Sequence, residues 1–269
     1  NGWGLDEAAA EVRAQDARAS VVELDRLLSV TGGLPLYVRS AAQLSTVEYD
    51  GDVAAMCAAI EAHTTLVTTT QEMILARSFN ALPEAVRDCA AALSLSDVPL
   101  SEAEATKLVK AVFGIETAGF ATAIRQLRPL GVVRLYGARR LQIHDAFRVL
   151  GLRQYAKLPP QQATAGREAL KELILASFEK DRDASRFPLF IRTLVELGDL
   201  KILVDIATEE WFHELGIDAG IWESLEAAAA NERIDPEQRF YALDGLVFAE
   251  MKSGDLAKTD RHLKAMEVL

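Results

Sequence analysis

Residues 132–155 read VVRLYGARRLQIHDAFRVLGLRQY, and this stretch decides the fold. Val132, Val133 and Leu135 open an apolar run, Gly137 supplies a turn, and Leu141 and Ile143 close the return run. That pattern predicts a β-hairpin. A helical period comes directly after it, with Phe147, Val149, Leu150, Leu152 and Tyr155 forming an apolar face. Ile143-His144-Asp145 stands at the join. Asp145 is expected to cap the helix, because its carboxylate can accept an orphan backbone N–H of the first turn. His144 is placed where a ligand would meet the helix start.

Working upstream, three helices are expected before the hairpin. Leu82-Pro83-Glu84 opens one that runs through Cys89 to Leu95. Ser101 with Glu104 is a capping-box pattern and opens the second, to Val112. The third spans about Ala118 to Leu130 and stops at Gly131. Three helices and then a two-stranded wing make a winged-helix arrangement. Further upstream, 5–30 is expected as one Ala-rich helix that Gly32-Gly33 stops. Pro35 restarts a helix at a position where its missing N–H is no loss. Helices over 53–63 and 64–79 complete this part. Downstream, the paired prolines of Lys157 to Gln162 predict a linker. Beyond it the chain reads as helices to the last residue, two pairs of them joined by the similar turns Leu197-Gly198-Asp199-Leu200 and Ser253-Gly254-Asp255-Leu256. Gly-Asp-apolar turns between amphipathic helices suit a helical repeat array, although these two copies are too far apart to be adjacent repeats of about 34 residues.

The totals agree with a mainly α protein. The chain has 269 residues, 50% hydrophobic and 26% charged, with only 7% aromatic. A formal charge of −11 argues against nucleic-acid binding by the surface as a whole. Cys57 and Cys89 sit in Ala-rich helical patterns and are expected as buried thiols, with no disulfide framework and no zinc set. No stretch approaches the roughly 18 apolar residues of a membrane span and no basic-then-apolar leader opens the chain, so a cytoplasmic location is expected. The chain begins with Asn1 and stops inside an apparent helix, as a piece of a larger protein would.

Gly32-Gly33-Leu34-Pro35-Leu36 resembles the GGLPL motif of the signal-transduction ATPases with numerous domains, the STAND or AP-ATPase class with its NB-ARC-like members. That class includes apoptotic ATPases, plant resistance proteins and bacterial regulators. Ile143-His144-Asp145 resembles the Met-His-Asp motif that closes their winged-helix domain. Order and separation of the two motifs fit. The resemblance implies that Pro35 packs near the adenine of bound ADP, and that His144 contacts the β-phosphate and holds a closed, inactive state. An imidazole donor beside a helix N-terminus also suits an anion on physical grounds. Two departures stand out. Ile143 replaces Met, and no G-x-x-x-x-G-K-[ST] occurs in the 269 residues, so this chain supplies no phosphate-cradling loop. ADP or ATP is therefore expected only together with a nucleotide-binding domain from elsewhere.

Plainer roles remain open for the same residues. Pro35 can be simply a helix-start proline, and His144 a junction histidine satisfied by backbone. No catalytic set emerges, and no metal site. His63, His213 and His262 lack partner spacing, and Glu209-Glu210 do not share a helix face. The winged helix is locally basic, with Arg125, Arg128, Arg134, Arg139, Arg140, Arg148 and Arg153 against few acids, notably Glu116 and Asp145. These arginines suit DNA phosphates, an acidic protein face, or water.

The expected architecture is thus mainly α: a helical domain over 1–80, a winged-helix domain with a β-hairpin wing over 81–158, and TPR-like helical hairpins over 159–269. The expected function is the regulatory and sensor portion of a multidomain signal-transduction NTPase, without catalysis of its own. Its expected partners are the NTPase domain and a protein trigger or effector. The alternatives are a DNA-binding transcription regulator using Arg125, Arg128, Arg134, Arg139 and Arg140, and a helical scaffold protein.

Overall fold

The computed structural model describes residues 2–63, 67–137, 140–181, 184–209 and 221–269. Expectations for Arg139, Glu210 and His213 lie outside them. The fold is mainly helical with one two-stranded sheet. The chain divides into two compact units, Asn1–Gly166 and Arg167–Leu269. The expected helical and winged-helix domains both fall in the first.

Five helices build the first half of that unit: α1 (Leu5–Ala14), α2 (Val21–Thr31), α3 (Pro35–Glu48), α4 (Val53–Glu61) and α5 (Val67–Asn80). Leu24, Leu27, Val38, Leu44, Met56, Ile60 and Ile74 are buried together and form its core. The single helix expected over 5–30 is in fact two. Asp16 takes a left-handed backbone, φ 57°. Arg18 then pairs with the 51–53 segment, its N–H donating to the Gly51 carbonyl at 2.7 Å. Ser20 and Glu23 start α2 with a reciprocal capping box.

The winged helix comes next in the chain: α6 (Glu84–Leu93), α7 (Glu102–Phe113), α8 (Thr117–Leu127), β1 (Val133–Tyr136), β2 (Arg140–Ile143) and α9 (Asp145–Tyr155). The strands pair antiparallel with Val133 opposite Ile143 and Leu135 opposite Leu141. Leu100, between α6 and α7, exchanges two backbone hydrogen bonds with Leu141 at 2.9 and 2.6 Å and adds a one-residue third strand. The two halves of the unit share packing, with Phe79 of α5 against Phe147 of α9 at a ring separation of 6.5 Å. Helices α6 and α9 touch where Gly151 faces Ser94 and the Ala90 carbonyl.

The linker expected over 157–162 is shorter than that. Helix α10 (Pro160–Asp181) begins at the second proline, whose ring suits a first helical position. Its start is fastened to the winged helix. The Tyr155 hydroxyl donates to the Ala163 carbonyl at 2.5 Å, and the Gln162 amide donates to the Val112 carbonyl at 2.6 Å.

The second unit holds the rest of α10, a 3₁₀ turn (Ala184–Arg186), α11 (Phe187–Leu197), α12 (Leu200–Ala207), α13 (Ile221–Ala230), α14 (Pro236–Ser253) and α15 (Leu256–Met266). Helix α14 packs on α12, α13 and α15. The two Gly-Asp turns close identically. Gly198 and Gly254 are left-handed, φ 70° and 78°, and the N–H of the adjoining Asp donates to the carbonyl of Leu194 or Glu250, both at 3.0 Å. This is the helix-ending bond pattern that a left-handed glycine makes. The aspartates differ in use. Asp255 caps α15 through the Lys258 N–H, whereas Asp199 binds Lys171 at 3.1 Å.

Candidate functional site

The strand-to-helix join behaves differently from expectation at one point. His144, and not Asp145, is the N-cap of α9. Its Nδ1 accepts the Ala146 backbone N–H at 3.2 Å, and its own N–H donates to the Val132 carbonyl at 2.8 Å. Asp145 is the first helical residue, where its charge still favours the helix dipole. The consequence is tautomeric. An imidazole whose Nδ1 accepts must carry its proton on Nε2 when neutral, leaving that N–H as its one donor. The ring is half-buried, and its pKa lies below the usual histidine value. Burial is the larger cause and the Arg134 guanidinium the next, with Asp145 opposing both. His144 is thus biased toward a neutral donor at a helix N-terminus.

The Gly32–Leu36 segment is shaped by its glycines. Gly32 ends α2 in the left-handed region and Gly33 shares that conformation, both at φ 67°. A Cβ on Gly33 would meet the Trp3 carbonyl oxygen at 3.2 Å, because Trp3 donates its N–H to the Gly33 carbonyl there. Leu34 is the N-cap of α3 and Pro35 its first residue. Arg39, one turn on, lies over the Trp3 ring and pairs with Glu11.

The two segments flank one short turn. Gly131, between α8 and β1, is left-handed, and a Cβ there would lie 3.2 Å from Leu36 and 3.3 Å from Arg39. Val132, the next residue, accepts the His144 N–H. The α3 start therefore lies close to Gly131, and the α9 cap is bonded to Val132. A cleft of about 550 Å³ opens beside them, lined by Tyr37 of α3, Met73 of α5, and Ala146, Val149 and Arg153 of α9.

The basic residues do not form one surface. Arg125 of α8 and Arg128, its C-cap, line a groove of about 450 Å³ with Leu135 and Leu141 of the hairpin. Arg134 alternates to the opposite face of β1 from Leu135 and exerts its charge on His144 instead. Arg140 is half-buried opposite Tyr136. Arg148 is committed to the Ser94 carbonyl at 3.0 Å, and Arg153 lines the cleft. Arg139 lies outside the described residues.

Among the described residues, no group of three or more His, Cys, Asp or Glu side chains is arranged to hold a metal ion. No described helix is long and apolar enough to cross a membrane. Cys57 and Cys89 are buried, and burial pushes their thiols up to about 11 and about 12. His262 has a partner that its spacing did not reveal, Glu250 of the preceding helix, at 3.0 Å. Comparison with protein-family models, with curated proteins and with solved structures gives no match.

Proposed function

We propose that this chain is the control portion of a multidomain signalling NTPase, acting in the cytoplasm and carrying no catalysis itself. One observation supports this most: His144 gives one nitrogen to the start of α9 and keeps Nε2–H as a donor, and its cap is bonded to the turn that lies beside the GGLPL-like helix. A neutral imidazole donor at a helix N-terminus suits a phosphate oxygen. In this proposal the nucleotide is ADP held by a nucleotide-binding domain that accompanies this chain, and Pro35 packs near its base. The helices of the second unit receive a protein trigger, which shifts the closed-to-open balance by its preference for the open form.

The test uses the protein encoded by the whole reading frame. Its bound nucleotide is released by heat and quantified, for the native protein and for His144→Ser. Serine keeps an N-cap acceptor but removes the Nε2–H donor. The expected result is ADP bound to the native protein and lost from the variant, with an unchanged thermal melt. ADP retained equally by both, or no nucleotide in either, overturns the proposal.

DNA recognition draws support from the exposed Arg128 and Arg134. Two features of the same domain weigh against it. Arg128 lines a groove with Leu135 whereas Arg134 takes the other face of β1, and Arg148 donates to the Ser94 carbonyl.

A further inference from the structure

The groove between α8 and the hairpin is apolar inside and cationic along one rim. Phe120 and Leu141 form its floor, 1% and 4% exposed, and Ile124 and Leu135 its walls. Leu135 is 44% exposed, large for a strand residue facing a helix. Arg125 and Arg128 stand along the α8 side. Arg125 spends two guanidinium N–H groups on weak contacts of 3.3 and 3.2 Å to its own helix, and a guanidinium has five. One acid, Glu102, stands at the start of α7.

We infer that this groove is a docking site for a short amphipathic helix bearing carboxylates. The charge pattern selects the occupant. Two guanidinium groups on an exposed rim, in a chain of net charge −11, favour an acidic partner. Its apolar floor favours a partner with Leu or Phe anchors over a phosphate backbone, which brings charge but no apolar side chain. Glu102 repels carboxylate and phosphate alike, so the acidic flank of the partner is turned toward Arg125 and Arg128 and its helix-start N–H groups toward Glu102. The groove runs along α8, and a helix laid beside it turns an apolar stripe toward Ile124 and Leu135. Helix α8 is 11 residues and about 16 Å long, room for a partner helix of about three turns. Apolar side chains at i, i+3 and i+7 would fill the space between Ile124 and Leu135. The carboxylates on its flank would then meet Arg125 and Arg128.

The test is independent of nucleotide and uses this chain with a fluorescein-labelled model peptide of about 14 residues, with Leu at helical spacing and about four Glu. Two controls accompany it: the same residues scrambled to destroy the apolar stripe, and a labelled duplex DNA. Fluorescence anisotropy is expected to show saturable binding of the patterned peptide. Leu135→Ser and Arg128→Glu should each weaken it by about tenfold or more, and scrambling should do the same. Both residues are exposed, so a far-UV melt of each variant should match the native one. The inference fails if the patterned peptide does not bind, if the scrambled peptide binds as well, if Leu135→Ser has no effect, or if the DNA binds and the peptide does not.

Discussion

Replacing Gly151 by Ala should destabilise the first unit although Ala is the better helix former. Gly151 lies inside α9, where Gly→Ala on an open face stabilises by about 1 kcal/mol. Here the added Cβ would collide with the Ser94 hydroxyl, and would lie 2.8 Å from the Ser94 Cβ and 3.1 Å from the Ala90 carbonyl oxygen. The last two obstacles belong to the α6 main chain or are attached directly to it, so no rotamer change clears them. Ser94 is held further by its own hydroxyl bond to Ala90 at 2.7 Å and by Arg148 on its carbonyl. Overpacking of a tight contact costs about 1–3 kcal/mol, and the upper end applies where backbone must move. After the helix-propensity gain, the net loss is about 2 kcal/mol. At a urea slope of about 1–3 kcal/mol/M, the unfolding midpoint falls by about 1 M. Urea melts tracked by far-UV circular dichroism and by Cys89 exposure read the same transition, since Cys89 is buried in α6. Ser94→Gly should restore more than half of the loss in the double variant. A midpoint for Gly151→Ala equal to or above the native one refutes the close-contact account.

Three further outcomes are expected. The folded chain holds His144 below its ordinary pKa, so the unfolded chain takes the proton more readily; this contribution to stability is complete above about pH 6.5 and is lost as the pH falls toward the folded value. His144→Asn keeps a capping acceptor and should flatten that part of the stability–pH curve; an unaltered slope in urea melts between about pH 7.5 and 5.5 would show that another group is responsible. The two thiols should react with an aromatic disulfide reagent only as fast as the chain opens, given burial and raised pKa; rapid labelling of both without denaturant contradicts their placement. Ser20→Ala removes the cap that begins α2 and should lower stability by about 1 kcal/mol; an unmoved urea midpoint would mean that the bond to Glu23 contributes nothing.

The hairpin was legible because its alternation and Gly137 are local facts, and so was the capping box at Ser101 and Glu104. The equivalent box at Ser20 and Glu23 lies inside a continuous Ala-rich helical pattern, and nothing local indicates that Asp16 takes a left-handed turn. The third strand at Leu100 is a single residue, too short for any period to register. His144 and Asp145 both have capping chemistry, and only the backbone path, with His144 N–H on Val132, decides between them. Pro160 shows the same limit, since a proline marks either a break or a first helical turn, and its own neighbours in sequence fit both. The position of Gly131 against Leu36 joins residues 95 apart in sequence and is a product of tertiary packing. Arg125 and Arg128, which line the groove, are parted from Arg134, because a strand turns alternate side chains in opposite directions and Leu135 takes the groove side.

The histidine cap has one more effect. A hydrogen bond given from one ring nitrogen pushes electron density toward the other and makes it a stronger acceptor, as coupled hydrogen bonds do. Any oxygen that accepts a hydrogen bond from Nε2–H of His144 therefore strengthens the hold on the first turn of α9 through the Ala146 amide. Thermodynamic reciprocity runs the other way as well: fraying of that turn loosens the hold on the oxygen. Occupancy and helix order are two readouts of a single free energy, carried by one five-membered ring.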